Sequence, residues 1–70
     1  MTFVYFKKNK ENERTFGPYF CSGAVPREND DIEFSIPKND GTFEKITGRV
    51  AFNRWVFIKG KDPSVVVNFD

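Results

Sequence analysis

The sequence predicts an all-β domain, and three observations carry that expectation. The apolar runs are built from Val, Ile, Phe, Tyr, Trp and Thr, with Ala only at Ala24 and Ala51 and no Leu at all. Side chains that are β-branched or aromatic suit a pleated sheet better than a helix. Each run is short and bounded by Gly, Pro, Asn or Asp, the residues that punctuate strands. Where a period is visible it is two: Ile32, Phe34 and Ile36 alternate with Glu33 and Ser35, which gives one dry face and one wet face.

Six strands are expected, at about residues 2–7, 18–25, 31–36, 42–52, 54–59 and 64–69, from runs of strand formers between turn residues. The first two are separated by Lys-Lys-Asn-Lys-Glu-Asn-Glu-Arg-Thr (7–15), a polar run without apolar periodicity. It reads as an exposed loop or a single helical turn, with a mobile binding loop as the functional alternative. Pro37 ends the third strand, and Asn39-Asp40-Gly41 tolerates the positive φ of a hairpin turn. Thr42 onward is therefore expected to pair antiparallel with it. Val50 and Phe52 occupy one alternation phase while Trp55 and Phe57 occupy the other. A bulge near Asn53-Arg54 accounts for that, since Arg54 is poorly suited to a primed two-residue turn. Gly48, inside a strand, marks a further bend. Gly60-Lys61-Asp62-Pro63 joins Trp55–Ile58 to Val65-Val66-Val67 as a second hairpin.

Five or six short, bent strands in a single 70-residue domain (1–70) are too few for a sandwich, and closing them into a small antiparallel barrel removes exposed edges. The long polar loop after the first strand, the run Val25-Pro26-Arg27-Glu28-Asn29-Asp30-Asp31-Ile32-Glu33-Phe34 leading into a central strand and the hairpins that follow resemble the SH3-like small barrels. The resemblance implies a fold and nothing about peptide specificity, because the aromatic pair and Pro-binding residues of true SH3 domains have no matching positions here. An oligonucleotide-binding (OB-like) barrel is the competing architecture.

A chain of this length buries only about 60% of its unfolded surface. Cys21 has no partner in the chain, so a disulfide framework is excluded and a reducing, cytoplasmic location is the expectation. Twelve aromatic residues (nine Phe, two Tyr, one Trp) supply dense packing instead. No apolar run nears the roughly 20 residues that span a bilayer, and no secretory pattern opens the sequence, so no membrane partner is expected.

The absence of His excludes Ser-His-Asp, Cys-His and His-metal arrangements. No catalytic residue, cofactor or metal is assigned. Cys21, after Phe20 in an apolar run, reads as a small buried hydrophobe. The acidic residues Glu28, Asp30, Asp31 and Glu33 lack calcium-loop spacing and read as solubilising charge, with Asp31 and Glu33 on one strand face.

The formal charge of +1 conceals a bipolar chain. Residues 27–45 hold three basic and six acidic groups, whereas 46–61 hold four basic and none acidic. The basic stretch interleaves cations with rings as Arg49, Phe52, Arg54, Trp55, Phe57, Lys59 and Lys61. Two roles compete for Trp55: a core residue, the usual place for a lone Trp in so small a domain, or a base-stacking platform. The expected function is a non-enzymatic protein-interaction module that binds a protein partner or forms a homo-oligomer. Its candidate binding surface is Arg49, Arg54, Trp55, Phe57, Lys59 and Lys61, with Glu28, Asp30, Asp31 and Glu33 as a complementary acidic face. Single-stranded nucleic-acid binding through Arg49 to Lys61 is the alternative, disfavoured by the near-neutral charge.

Overall fold

In the computed structural model, which describes residues 1–10 and 14–70, the chain alternates direction through five strands. These are β1 (Thr2–Lys8), β2 (Thr15–Cys21), β3 (Asp31–Pro37), β4 (Phe43–Val56) and β5 (Ser64–Phe69). They form one nearly closed, barrel-shaped sheet ordered β2-β1-β5-β4-β3, and no described residue is helical. Of the polar run 7–15, the ends extend β1 and β2, and residues 11–13 lie outside the described residues.

Both predicted hairpins are present. Between β3 and β4 the amide of Lys38 donates to the Thr42 carbonyl at 2.8 Å, with Gly41 at φ +84°. Between β4 and β5 the Lys61 amide donates to the Ile58 carbonyl at 3.0 Å, with Gly60 at φ +81°.

The fourth and fifth expected strands prove to be one. β4 runs unbroken for 14 residues, pairing with β3 over 43–49 and with β5 over 50–56. The register shift falls between Val50 and Phe52, ahead of the expected Asn53-Arg54. It sends Val50 inward and Phe52 outward although their spacing in sequence suggests one face. This merger sets the pairing at the centre of the sheet: with five reversing strands the first and last run the same way, so β1 and β5 pair parallel while the other three pairings are antiparallel. β2 starts earlier than expected, at Thr15, because Phe16 lies opposite Phe6 and buries its ring against the core. It stops at Cys21, and residues 22–30 cross the end of the barrel, where the Asn29 amide donates to the Val50 carbonyl at 2.8 Å.

The interior holds Val4, Phe6, Phe16, Ile32, Phe34, Val50, Val65, Val67 and Phe69. Phe34 is its hub, stacked on Phe6 (4.5 Å, 11°) and tilted or edge-on to Phe16, Tyr19 and Phe69. Such pairs add about 0.5–1.5 kcal/mol each beyond area burial. Aromatic packing therefore takes the place of a disulfide in this small core.

Candidate functional site

The second half of β4 carries the aromatic–basic segment. β5 covers one edge of residues 50–56, while β3 pairs only with 43–49, so this half projects past β3. On its free side the Asn53 side-chain amide donates to the Pro26 carbonyl at 2.7 Å. Beyond Asn53 the strand's inner face is only partly covered. Trp55 lies opposite Val65, on the face that is buried further along, yet it is 42% exposed; Phe57 is 74% exposed. The two rings stack nearly parallel, 5.8 Å apart at 8°. The core placement of Trp55 is thus set aside: the pair is a ledge at the barrel's end.

The basic residues of the segment do not gather on that ledge. Arg49 sits six positions before Trp55, about 20 Å along an extended strand, and its Nε donates to the Asp31 carboxylate at 3.1 Å. Arg54 alternates to the opposite face from Trp55. Lys61 lines an outer groove with Val56 and Ile58, and Lys59 occupies the turn before Gly60. Among the described residues, Arg54, Lys59 and Lys61 form no ion pair.

The acidic residues are largely engaged within the chain. Asp31 pairs with Arg49, and Glu33, on the same outer face of β3, lies 3.6 Å from the Lys45 ammonium. Asp30 accepts the Arg27 amide at 2.8 Å, closing the loop before β3, and Glu28 is exposed in that loop. Among the described residues no three acidic or Cys side chains stand close enough to hold a metal ion. Cys21 is half-buried against the core rather than fully interior, and its thiol faces the carbonyls of Gly23 and Ala24.

The barrel also carries an apolar outer face that strand alternation alone does not reveal. Phe3 and Tyr5 of β1, Pro18 of β2, and Val56 and Ile58 flank a groove of about 250 Å³, with Lys61, Asp62 and Ser64 at one side. Phe20, 64% exposed, packs edge-on against Phe3 at 5.2 Å. Its signal was present: β1 is apolar in both phases over Phe3 to Phe6, more than one buried face requires. A search of protein-family models, curated proteins and solved structures finds no match to the chain.

Proposed function

We propose that this protein is a non-enzymatic interaction module whose binding ledge is the stacked Trp55–Phe57 pair at the end of β4. The single observation behind this reading is that two large rings stand stacked and exposed at and just beyond the end of β4. Exposed aromatic anchors of this kind dominate protein-binding energetics. The five-stranded barrel is compatible with an SH3-like scaffold, on which many binding surfaces are built.

Single-stranded nucleic acid is the second reading, favoured by Arg54, Lys59 and Lys61, which belong to the same segment as the rings and form no ion pair among the described residues. A stacking platform needs phosphate-binding charge beside its rings, and here Arg54 lies on the opposite face while Arg49 is held by Asp31. That division supports a protein partner.

The test places a photo-crosslinking benzoylphenylalanine at position 57 of the full chain in cell extract. A discrete protein adduct, lost in the Trp55→Ala background, is expected. Fluorescence anisotropy with mixed-sequence single-stranded DNA and RNA at low salt is expected to stay flat. Salt-sensitive binding lost in Trp55→Ala and Arg54→Ala replaces the first reading with the second.

A further inference from the structure

We infer that the outer apolar groove is a two-fold interface between copies of this chain. The inference deepens the self-association side of the interaction reading but uses a face separate from the Trp55–Phe57 ledge. Phe3, Tyr5, Pro18, Phe20, Val56 and Ile58 form one outward surface, with Phe20 64% and Ile58 57% exposed. The largest apolar patch on a monomeric domain is about 300–600 Å² and is often functional.

Area and charge select a second copy as the occupant. With aromatic side chains offering about 150–250 Å² each when fully accessible, these partly exposed residues present roughly 400 Å² of apolar area. Interfaces are about 60% apolar, so a patch of that size corresponds to roughly 700 Å² per partner, close to the about 800 Å² of a standard stable interface. The charges at the groove are Lys61 and Asp62, adjacent in the chain and both exposed. Together they attract neither an acidic nor a basic partner. A two-fold axis that sets Lys61 of each copy against Asp62 of the other makes that opposite-charge contact twice. The groove is complementary in charge to itself.

Sedimentation of the full chain from micromolar to millimolar concentration is expected to show the 8.1 kDa monomer passing to twice that mass and stopping there. Ile58→Glu, at an exposed position that leaves the fold intact by circular dichroism, is expected to weaken the dimer about tenfold or more, the scale of losing an interface anchor. Lys61→Asp and Asp62→Lys are each expected to be monomeric alone, the first by facing acid with acid and the second base with base. A one-to-one mixture of the two restores the dimer, because every cross-interface contact then pairs opposite charges. A monomer at every concentration overturns the inference, as does open-ended polymerisation, a dimer indifferent to Ile58→Glu, or a mixture that stays monomeric. A protein adduct at position 57 in a strictly monomeric chain leaves the ledge reading standing and removes only this one.

Discussion

The ring of Phe69 occupies the space a side chain at Gly48 would fill. A Cβ built on Gly48 lies 2.5 Å from Phe69 Cδ2 and 2.6 Å from the Asp70 carbonyl oxygen. Gly48 is paired with Ile32 in the β3–β4 ladder, and Phe69 is fully buried. The glycine therefore lets the last strand's terminal ring close the core. Gly48→Ala is expected to destabilise the protein by about 1–3 kcal/mol, the range for an overpacked core. Urea unfolding measures it, and Phe69→Leu in the same chain is expected to recover part of the loss. An unchanged midpoint in Gly48→Ala contradicts the packing described.

Phe57 is expected to matter little for stability and, with Trp55, much for binding. Phe57 is 74% exposed and Trp55 42%, so Phe57→Ala is expected to shift unfolding by about 0.5 kcal/mol or less, and Trp55→Ala, which loses a ring more than half covered, by about 1–3 kcal/mol. Phe34→Ala, which removes the ring at the centre of the aromatic core, is expected to cost about 3–5 kcal/mol. Native Trp55 emission is expected to be red-shifted and readily quenched by acrylamide. A blue-shifted, shielded emission that persists at low concentration contradicts the exposed ledge.

What was legible in the sequence follows the range over which each signal acts. Asn39-Asp40-Gly41 and Gly60 act over a few residues, and their hairpins were readable because backbone conformation at those positions is local. Ile32, Phe34 and Ile36 were readable because one strand pairs along its whole length and its alternation is unbroken. The site was less accessible. The phase change between Val50 and Trp55 signalled an inserted residue, but nothing local says that β4 changes partner there from β3 to β5. That exchange carries Trp55 past the end of β3 into solvent. It also separates Arg49 from the ledge, since Asp31, eighteen residues earlier in the chain, is brought opposite it only by the β3–β4 register.

The cross-strand ion pairs on the outer β3–β4 face are expected to contribute modestly. Arg49–Asp31 and Lys45–Glu33 have side chains more than half exposed, and pairs of that kind give about 0–1 kcal/mol. A double-mutant cycle on Arg49 and Asp31 is expected to return a coupling in that range that disappears in concentrated salt. A larger, salt-insensitive coupling contradicts the solvent-screened geometry.

Asp40 links the β3–β4 turn to pH. Its carboxyl is held below the ordinary carboxylate value by hydrogen bonds from Thr42, the side-chain hydroxyl first and the backbone amide second. A carboxyl with a depressed pKa in the folded state stabilises the turn above its unfolded pKa, near 3.8. That stabilisation is lost as pH falls through the lower folded value. NMR titration is expected to place Asp40 below the ordinary carboxylate value, and Thr42→Val is expected to raise it toward that value. An Asp40 that titrates identically in Thr42→Val and wild type refutes the assignment.

Tyr19 provides a polar link across the open seam between the two edge strands. β2 and β3 end the sheet, and the Tyr19 hydroxyl donates to the Ser35 carbonyl at 3.2 Å, while its ring packs edge-on to Phe6 at 5.5 Å and Phe34 at 5.8 Å. Tyr19→Phe keeps the ring and deletes only the bridge, so it is expected to cost about 0.5–1.5 kcal/mol, the net value of one hydrogen bond. Tyr19→Leu also removes both ring contacts and is expected to cost more. Native-state hydrogen exchange separates a bridge from generic destabilisation: in Tyr19→Phe the added opening is expected at β2 and β3 amides, with the central β1–β5 pairing retaining its protection. Equal loss of protection in all strands, or no difference between wild type and Tyr19→Phe, means that the barrel is held shut at this seam by its aromatic core alone.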